Sequence, residues 1–327
     1  PFRVAEWKHN EYILLEKNPF YWDADNVKLD KVKLVMINDE NTALTAFKTG
    51  KVDYISNIPP VQLPALIESG EAVTLNNIGP YFYALNVEKE PLNDVNVRKA
   101  LALAIDREAI VKTVTQGGQK PAVAFIPYGL PGIEKEDFRD EGKKYLDTTA
   151  NVEEAKKYLA EAGYPDGEGF PELTLTYNTS DEHKAVAEAV QAMWKKNLGI
   201  DVKLSNQEWK VFLDTRKQGD YQIARHGYFA DFYDPGSLFD LWVTGSPNND
   251  INYSNAEYDK LVEAASKEQD PAKRAQLFHE AEDILMEDMP IIPVFYYAEN
   301  YLLQPYVKNM HVSPLGWEFF RSADIEK

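Results

Sequence analysis

The sequence has 327 residues, no cysteine, 44% hydrophobic residues and a formal net charge of −18 at neutral pH. That length suits two lobes better than one small core. Disulfides, thiol catalysis and Cys-ligated zinc are excluded, the acidic balance argues against a nucleic-acid partner, and no apolar run approaches the roughly 20 residues of a membrane helix.

The first residues, Pro1-Phe2-Arg3-Val4, read as the middle of a strand. With no initiator Met and no signal peptide, a fragment or processed chain is expected. Residues 11–16 read as a strand, Asn18-Pro19 as a turn and Phe20-Tyr21-Trp22 as an aromatic cluster. Lys31 to Ile37 alternates apolar and polar, a strand with one buried face. Ala43, Leu44, Ala46 and Phe47 share a face of a short helix that Gly50 stops, and residues 52–55 form the next strand. This β-α-β order predicts a parallel pair with a right-handed crossover. Pro59-Pro60 marks a turn before a small helix. Tyr81 to Val87 is a strong strand. Asp94 and Asp106 cap two helices, and residues 119–150 read as loop.

Asn151 and Glu154 have capping-box spacing. Leu173 to Tyr177 is a strand of period two, and a long helix runs from Ser180 or Asp181 to just before Gly199. Residues 200–204 are a strand, and 208–218 a helix closed by Gly219. The stretch from Tyr221 to Pro235 begins as a strand and ends in acidic turn chemistry. This order from 172 to 229 predicts an α/β lobe with a mainly parallel sheet. Residues 245–250 read as an exposed loop. Ser254 and Glu257 give a second capping box, and Asp270-Pro271 an N-cap and first-turn pair. Pro290 stops that helix, 291–297 is a buried strand, and strand character returns at Tyr301 to Leu303. There is no internal repeat.

Catalytic signatures are scarce. Asp231 and Asp234 could be imagined as a carboxylate pair, but at that spacing in a turn they read as loop groups. The five His show no metal spacing, and no G-x-S-x-G, Walker A or G-x-G-x-x-G motif is present. Binding chemistry is richer. Asp231 can hold an ammonium group, and Arg216 and Arg225 can hold a carboxylate. An internal salt bridge is the alternative for the same charges. A peptide laid along Gly227, Tyr228 and Phe229 would gain main-chain hydrogen bonds that ignore side-chain identity. His226 points opposite to Arg225 on a strand.

Several segments together carry a family resemblance. They are Asn178-Thr-Ser-Asp-Glu-His-Lys184, Met193-Trp-Lys-Lys-Asn-Leu-Gly199, Asn206-Gln-Glu-Trp-Lys210, Phe212-Leu-Asp-Thr-Arg216 and Ala224-Arg-His-Gly-Tyr-Phe-Ala-Asp231. With Leu92 to Arg107, Ala46 to Asp53 and Pro290 to Tyr297, they closely resemble periplasmic oligopeptide-binding proteins of peptide ABC transporters, the large family 5 solute-binding class. The resemblance implies an α/β two-lobe Venus flytrap, periplasmic binding protein type II-like, here missing the N-terminal part of the hinge lobe. Residues 1–88 and 292–327 would be hinge lobe, and 89–291 the inserted peptide-binding lobe.

By the same resemblance, Asp231 matches the aspartate that binds the peptide α-ammonium. Arg225, Arg216 and His183 match residues that meet the C-terminal carboxylate of peptides of different lengths. Gly227, Tyr228 and Phe229 match the stretch that pairs with the peptide main chain, with Tyr228 standing where the family often has Trp. Tyr297 and Asn86 fall on the hinge strands. The implied role is non-enzymatic capture of short peptides between two lobes, outside the cytoplasmic membrane, for an ABC permease. No cofactor or metal is implied, and membrane attachment would be through a lipid anchor absent from this chain. The alternative is a same-fold protein for a nickel complex or a signalling peptide.

Overall fold

A computed structural model describes residues 1–56 and 58–326. The elements, in chain order, begin with β1 (Phe2–Lys8), β2 (Tyr12–Lys17), β3 (Lys31–Val35), α1 (Glu40–Lys48), β4 (Tyr54–Ile55), α2 (Leu63–Glu68) and β5 (Ala72–Leu85). Then come α3 (Val95–Leu103), α4 (Arg107–Ile110), β6 (Lys120–Pro121), α5 (Phe138–Glu141), α6 (Val152–Glu161), β7 (Leu173–Asn178), α7 (Asp181–Leu198), β8 (Val202–Gln207), α8 (Trp209–Lys217) and β9 (Ile223–Gly227). The last are α9 (Gly236–Phe239), α10 (Ala256–Lys267), α11 (Pro271–Asp288) and β10 (Ile291–Leu303), followed by short two-residue ladders. The chain divides into two compact units, 1–77 with 298–327, and 78–297. The divisions fall inside β5 and β10.

In the first unit, β1, β2 and β3 form an antiparallel meander. β4 pairs antiparallel with the end of β10, Ile55 opposite Leu302. Ala43 and Leu44 of α1 are buried with Ile55, Leu66 and Leu302 in a small core. The Asp39 side chain caps α1 by accepting from the Thr42 amide. The parallel β3–β4 pair expected from the sequence does not form. β3 pairs only with β2, and β4 only with β10, among the described residues. Both strands line a cavity of about 500 Å³. The connection through α1 therefore joins strands of two different sheets.

In the second unit the sheet order is β10, β5, β9, β7, β8, with β6 also on β10. β8 and β9 run parallel to β7, as the β-α-β-α-β order predicts, and β9 runs antiparallel to β5. α7 carries Val186, Val190, Trp194 and Leu198 on one buried stripe of period four. Trp194 is fully buried and its indole N–H donates to the Leu101 carbonyl at 2.8 Å. Ser180 caps the start of α7, and Gly199 ends it in the left-handed region at φ 75°.

Two irregular stretches differ from their sequence readings. The cap of α10 is Asn255, whose side chain accepts from the Glu257 and Tyr258 amides, so the Ser254 capping box is displaced by one residue. The loop at 245–250 is pinned rather than exposed at its end. Asn249 is buried and its amide donates to the Tyr253 carbonyl at 2.8 Å. Residues 119–150 are mostly irregular, yet Ala122 to Ile126 are buried. Their backbone is satisfied by the Tyr296 hydroxyl, the Val294 carbonyl and the Glu282 carboxylate.

Candidate functional site

The site grows from β9, whose alternation sends Arg225 to one face of the sheet and His226 to the other. Tyr81 and Tyr83 of β5 lie opposite Gly227 and Arg225. The Arg225 guanidinium lies 5.0 Å from the Tyr81 ring centroid. It donates to the Tyr297 hydroxyl at 2.5 Å and, more weakly, to Asn178 Oδ1 at 3.5 Å. Its Nε is buried with no hydrogen-bond partner. Among the described residues no carboxylate lies within 4.0 Å of it. Tyr297 reaches this position because residue 227 is glycine: a Cβ there would collide with its hydroxyl. Phe229 stacks on the Tyr297 ring at 4.8 Å between centroids.

His183 arrives from the first turn of α7 and sits 5.6 Å from the Tyr81 ring. Its Nδ1 is buried and unpartnered. Burial, reinforced by the charge of Arg225, pulls its pKa down to about 3. His183 is therefore a neutral ring beside a fixed cation. Glu182, its neighbour, is exposed but partly desolvated, which raises its carboxyl against the opposing pull of Arg225. Sequence reasoning missed Asn178, Tyr81 and Glu182. The first and last belong to the Asn178–Lys184 segment, so that segment was the available signal. Tyr81 carried none beyond its place in a strand.

The opposite face supplies its own counter-ion, although Asp250 Oδ1 is buried without a hydrogen-bond partner. Arg216 donates from Nε to Asp250 Oδ2 at 2.8 Å and again from Nη2 to the same oxygen. Its Nη2 also meets His226 Nε2. His226 stacks on Phe82 at 4.6 Å and its Nδ1 lies 3.1 Å from the Gly227 carbonyl. Burial holds His226 below the usual imidazole range, with Arg216 acting the same way and Asp250 against it. Burial alone would raise the Asp250 carboxyl, but its cationic and imidazole neighbours outweigh that and lower it. Of the two arginines read as carboxylate-binding, Arg216 is buried and holds a carboxylate of its own chain, the internal salt bridge that the sequence left open. Asn86 is buried too. Its amide donates to the Gly219 and Tyr221 carbonyls and its oxygen accepts from the Glu88 amide, so it ties a turn.

Beyond β9 the chain stays attached to β5. The Tyr228 and Ala230 amides donate to the Pro80 and Ile78 carbonyls. Antiparallel pairing alternates, so the amides of Gly227 and Phe229 turn to the other edge. β7 does not cover that edge, because its pairing with β9 extends only over Ile223 and Ala224. Asp231 follows, exposed, with its amide donating to Ser237 Oγ at 2.7 Å. Tyr228 donates its hydroxyl to Asp231 Oδ2 at 2.8 Å, and burial together with that carboxylate pushes its own pKa up to about 12. Asp234 accepts from the Gly236 amide, as turn chemistry predicts, and also takes both terminal nitrogens of Arg274 at 2.7 Å. Asp231 and Asp234 are therefore not an equivalent pair.

The family model described as bacterial extracellular solute-binding proteins, family 5 middle, matches residues 1–250. The chain belongs to this family of solute-binding proteins. The oligopeptide-binding protein OppA of Bacillus subtilis is 40% identical over 328 residues, covering 99% of this chain and 60% of that protein. Among solved structures, Haemophilus influenzae OppA in complex with RPPGFSPFR superposes with a TM-score of 0.80 at 34% identity, over 100% of this chain and 64% of that one. Listeria monocytogenes OppA bound to peptide gives 0.81 at 30%, again over 100% and 64%. The chain spans about 60% of the length of such family 5 relatives. The α/β class and the family 5 resemblance read from the sequence both hold. Among the described residues no helix is long and apolar enough to cross a membrane.

Proposed function

We propose that the protein binds short peptides outside the cytoplasmic membrane for uptake through an ABC transporter, without chemistry on them. The unit 78–297 supplies the binding groups. Asp231 takes the α-ammonium, Arg225 with neutral His183 takes a carboxylate, and the open edge at Gly227 and Phe229 pairs with the peptide main chain. Arg216 and Asn86 have no part in contact with the ligand.

One observation carries the reading. Arg225 keeps a half-buried guanidinium, its Nε buried and unpartnered, whose hydrogen-bond partners are neutral. Burying a charge without a counter-ion is costly. Arg139 and Arg216, by contrast, each meet a carboxylate. Arg225 is thus a cation whose natural partner is an anion from outside the chain. Haemophilus influenzae OppA and Listeria monocytogenes OppA are solved with peptide bound, and the anion this reading assigns to Arg225 is a peptide C-terminus. Mass spectrometry of material co-purifying with the full natural chain tests the proposal. A ladder of short peptides is expected, released by Arg225→Met. A non-peptide ligand, or peptides retained equally by that variant, overturns it.

A further inference from the structure

The proposed function rests the α-ammonium on Asp231, and the group that holds Asp231 in place is a side chain of the same turn. Tyr228 Oη donates to Asp231 Oδ2 at 2.8 Å. Asn248 Nδ2 donates in turn to Tyr228 Oη at 3.4 Å. Oδ1 of Asp231 has no hydrogen-bond partner among the described residues. The backbone on either side is fixed, with the Tyr228 amide on Pro80, the Ala230 amide on Ile78 and the Asp231 amide on Ser237.

These contacts divide the work between backbone and side chain. The main chain sets where the Asp231 Cα lies, but an exposed aspartate still has several staggered rotamers open to it. The phenol removes that freedom, since its own ring has only two torsions and stands on a pinned backbone. A hydroxyl donating to an ionised carboxylate makes a strong bond, and the Asn248 donor polarises it further. One carboxylate oxygen is thereby occupied and the other is left open. An aromatic ring without the hydroxyl would fill the same space and supply no such tie.

We propose that Tyr228 is a positioning and specificity-determining residue for the ligand's N-terminus: its hydroxyl fixes one oxygen of Asp231 so that the other is presented to a primary ammonium. This deepens the proposed function and depends on Asp231 being the ammonium anchor. The full natural chain tests it in competition against a tripeptide library, half of it N-acetylated, with bound peptides counted by mass spectrometry. The wild type should enrich the free-amine half. Tyr228→Phe should cut that enrichment about tenfold, the scale of one charge-assisted hydrogen bond, while uptake of acetylated peptides stays unchanged. A change in fold would move both halves together. Asp231→Asn separates the two claims. If Asp231→Asn or the wild type shows the wrong behaviour (preference retained, or no preference at all), the anchor assignment falls and Tyr228 with it. If Asp231→Asn loses the preference and Tyr228→Phe keeps it, the Tyr228 proposal alone is overturned.

Discussion

Strand β9 carries two polar clusters back to back, and they are built on opposite plans. On one face Arg216, Asp250 and His226 close on one another, with cation, anion and imidazole all supplied by the fold. On the other face Arg225 meets Tyr297, Asn178 and the Tyr81 ring, all of them neutral, and leaves its Nε unpartnered, as His183 leaves its Nδ1. Two arginines nine positions apart in sequence are thus a structural member and a candidate ligand anchor. The difference is whether the fold provides the counter-ion. A closed cluster resists removal of a member, while an open one waits for a group that is not part of the chain.

The largest expected effect breaks the closed face. Arg216→Ala strips the half-buried Asp250 carboxylate of its main partner. Truncating one side of a buried pair costs about 3–5 kcal/mol. Chemical denaturation should show a loss of that order, and a loss within that of ordinary surface substitutions would mean that Asp250 finds water or another donor. The next effect probes the open face. Arg225→Met should weaken peptide affinity by roughly 2–5 kcal/mol in calorimetry, with stability little changed, because no carboxylate of the described residues is hydrogen-bonded to Arg225. Equal stability losses in the two variants would erase the distinction between the faces.

The sequence made one side of this contrast readable and hid the other. Period two along β9 separates Arg225 from His226 without any structure. The helix caps at Asp94, Asn151, Ser180 and Asp270 follow from local chemistry, and each is found. The parallel pairing of β7 with β8 and β9 follows from element order. Counter-ions do not follow from local pattern. Asp250 lies 34 residues from Arg216, at the end of a stretch whose Gly, Pro and Asn residues signal only a loop. Arg274 lies 40 residues from Asp234. The β3–β4 pairing failed for the same reason. β3 pairs with β2 and β4 with β10, a partner more than 230 residues further along the chain. Local rules describe segments, and the identity of a charge's partner is a tertiary fact.

The smallest effect sharpens the open face through pH. His183 has a folded pKa near 3 against an ordinary value of 6.5, lowered first by burial and then by Arg225. Above about pH 6.5 both folded and unfolded chains hold it neutral, so it adds no pH dependence there. As pH falls from 6.5 toward 3, the unfolded chain takes up a proton that the folded chain refuses, and stability is lost across that window. His226 and His279 also titrate below the usual range, so they share this acid limb. The His183 share is isolated by comparison with His183→Gln, which keeps a neutral polar side chain. Denaturation midpoints at pH 7 and pH 4.5 should differ less in the variant than in the wild type. If the two differences are equal, His183 is solvated when folded and the Arg225 face is wet. The orphaned Nε and Nδ1 would then have water as their partner, and the argument that Arg225 requires an external anion would lose its main support.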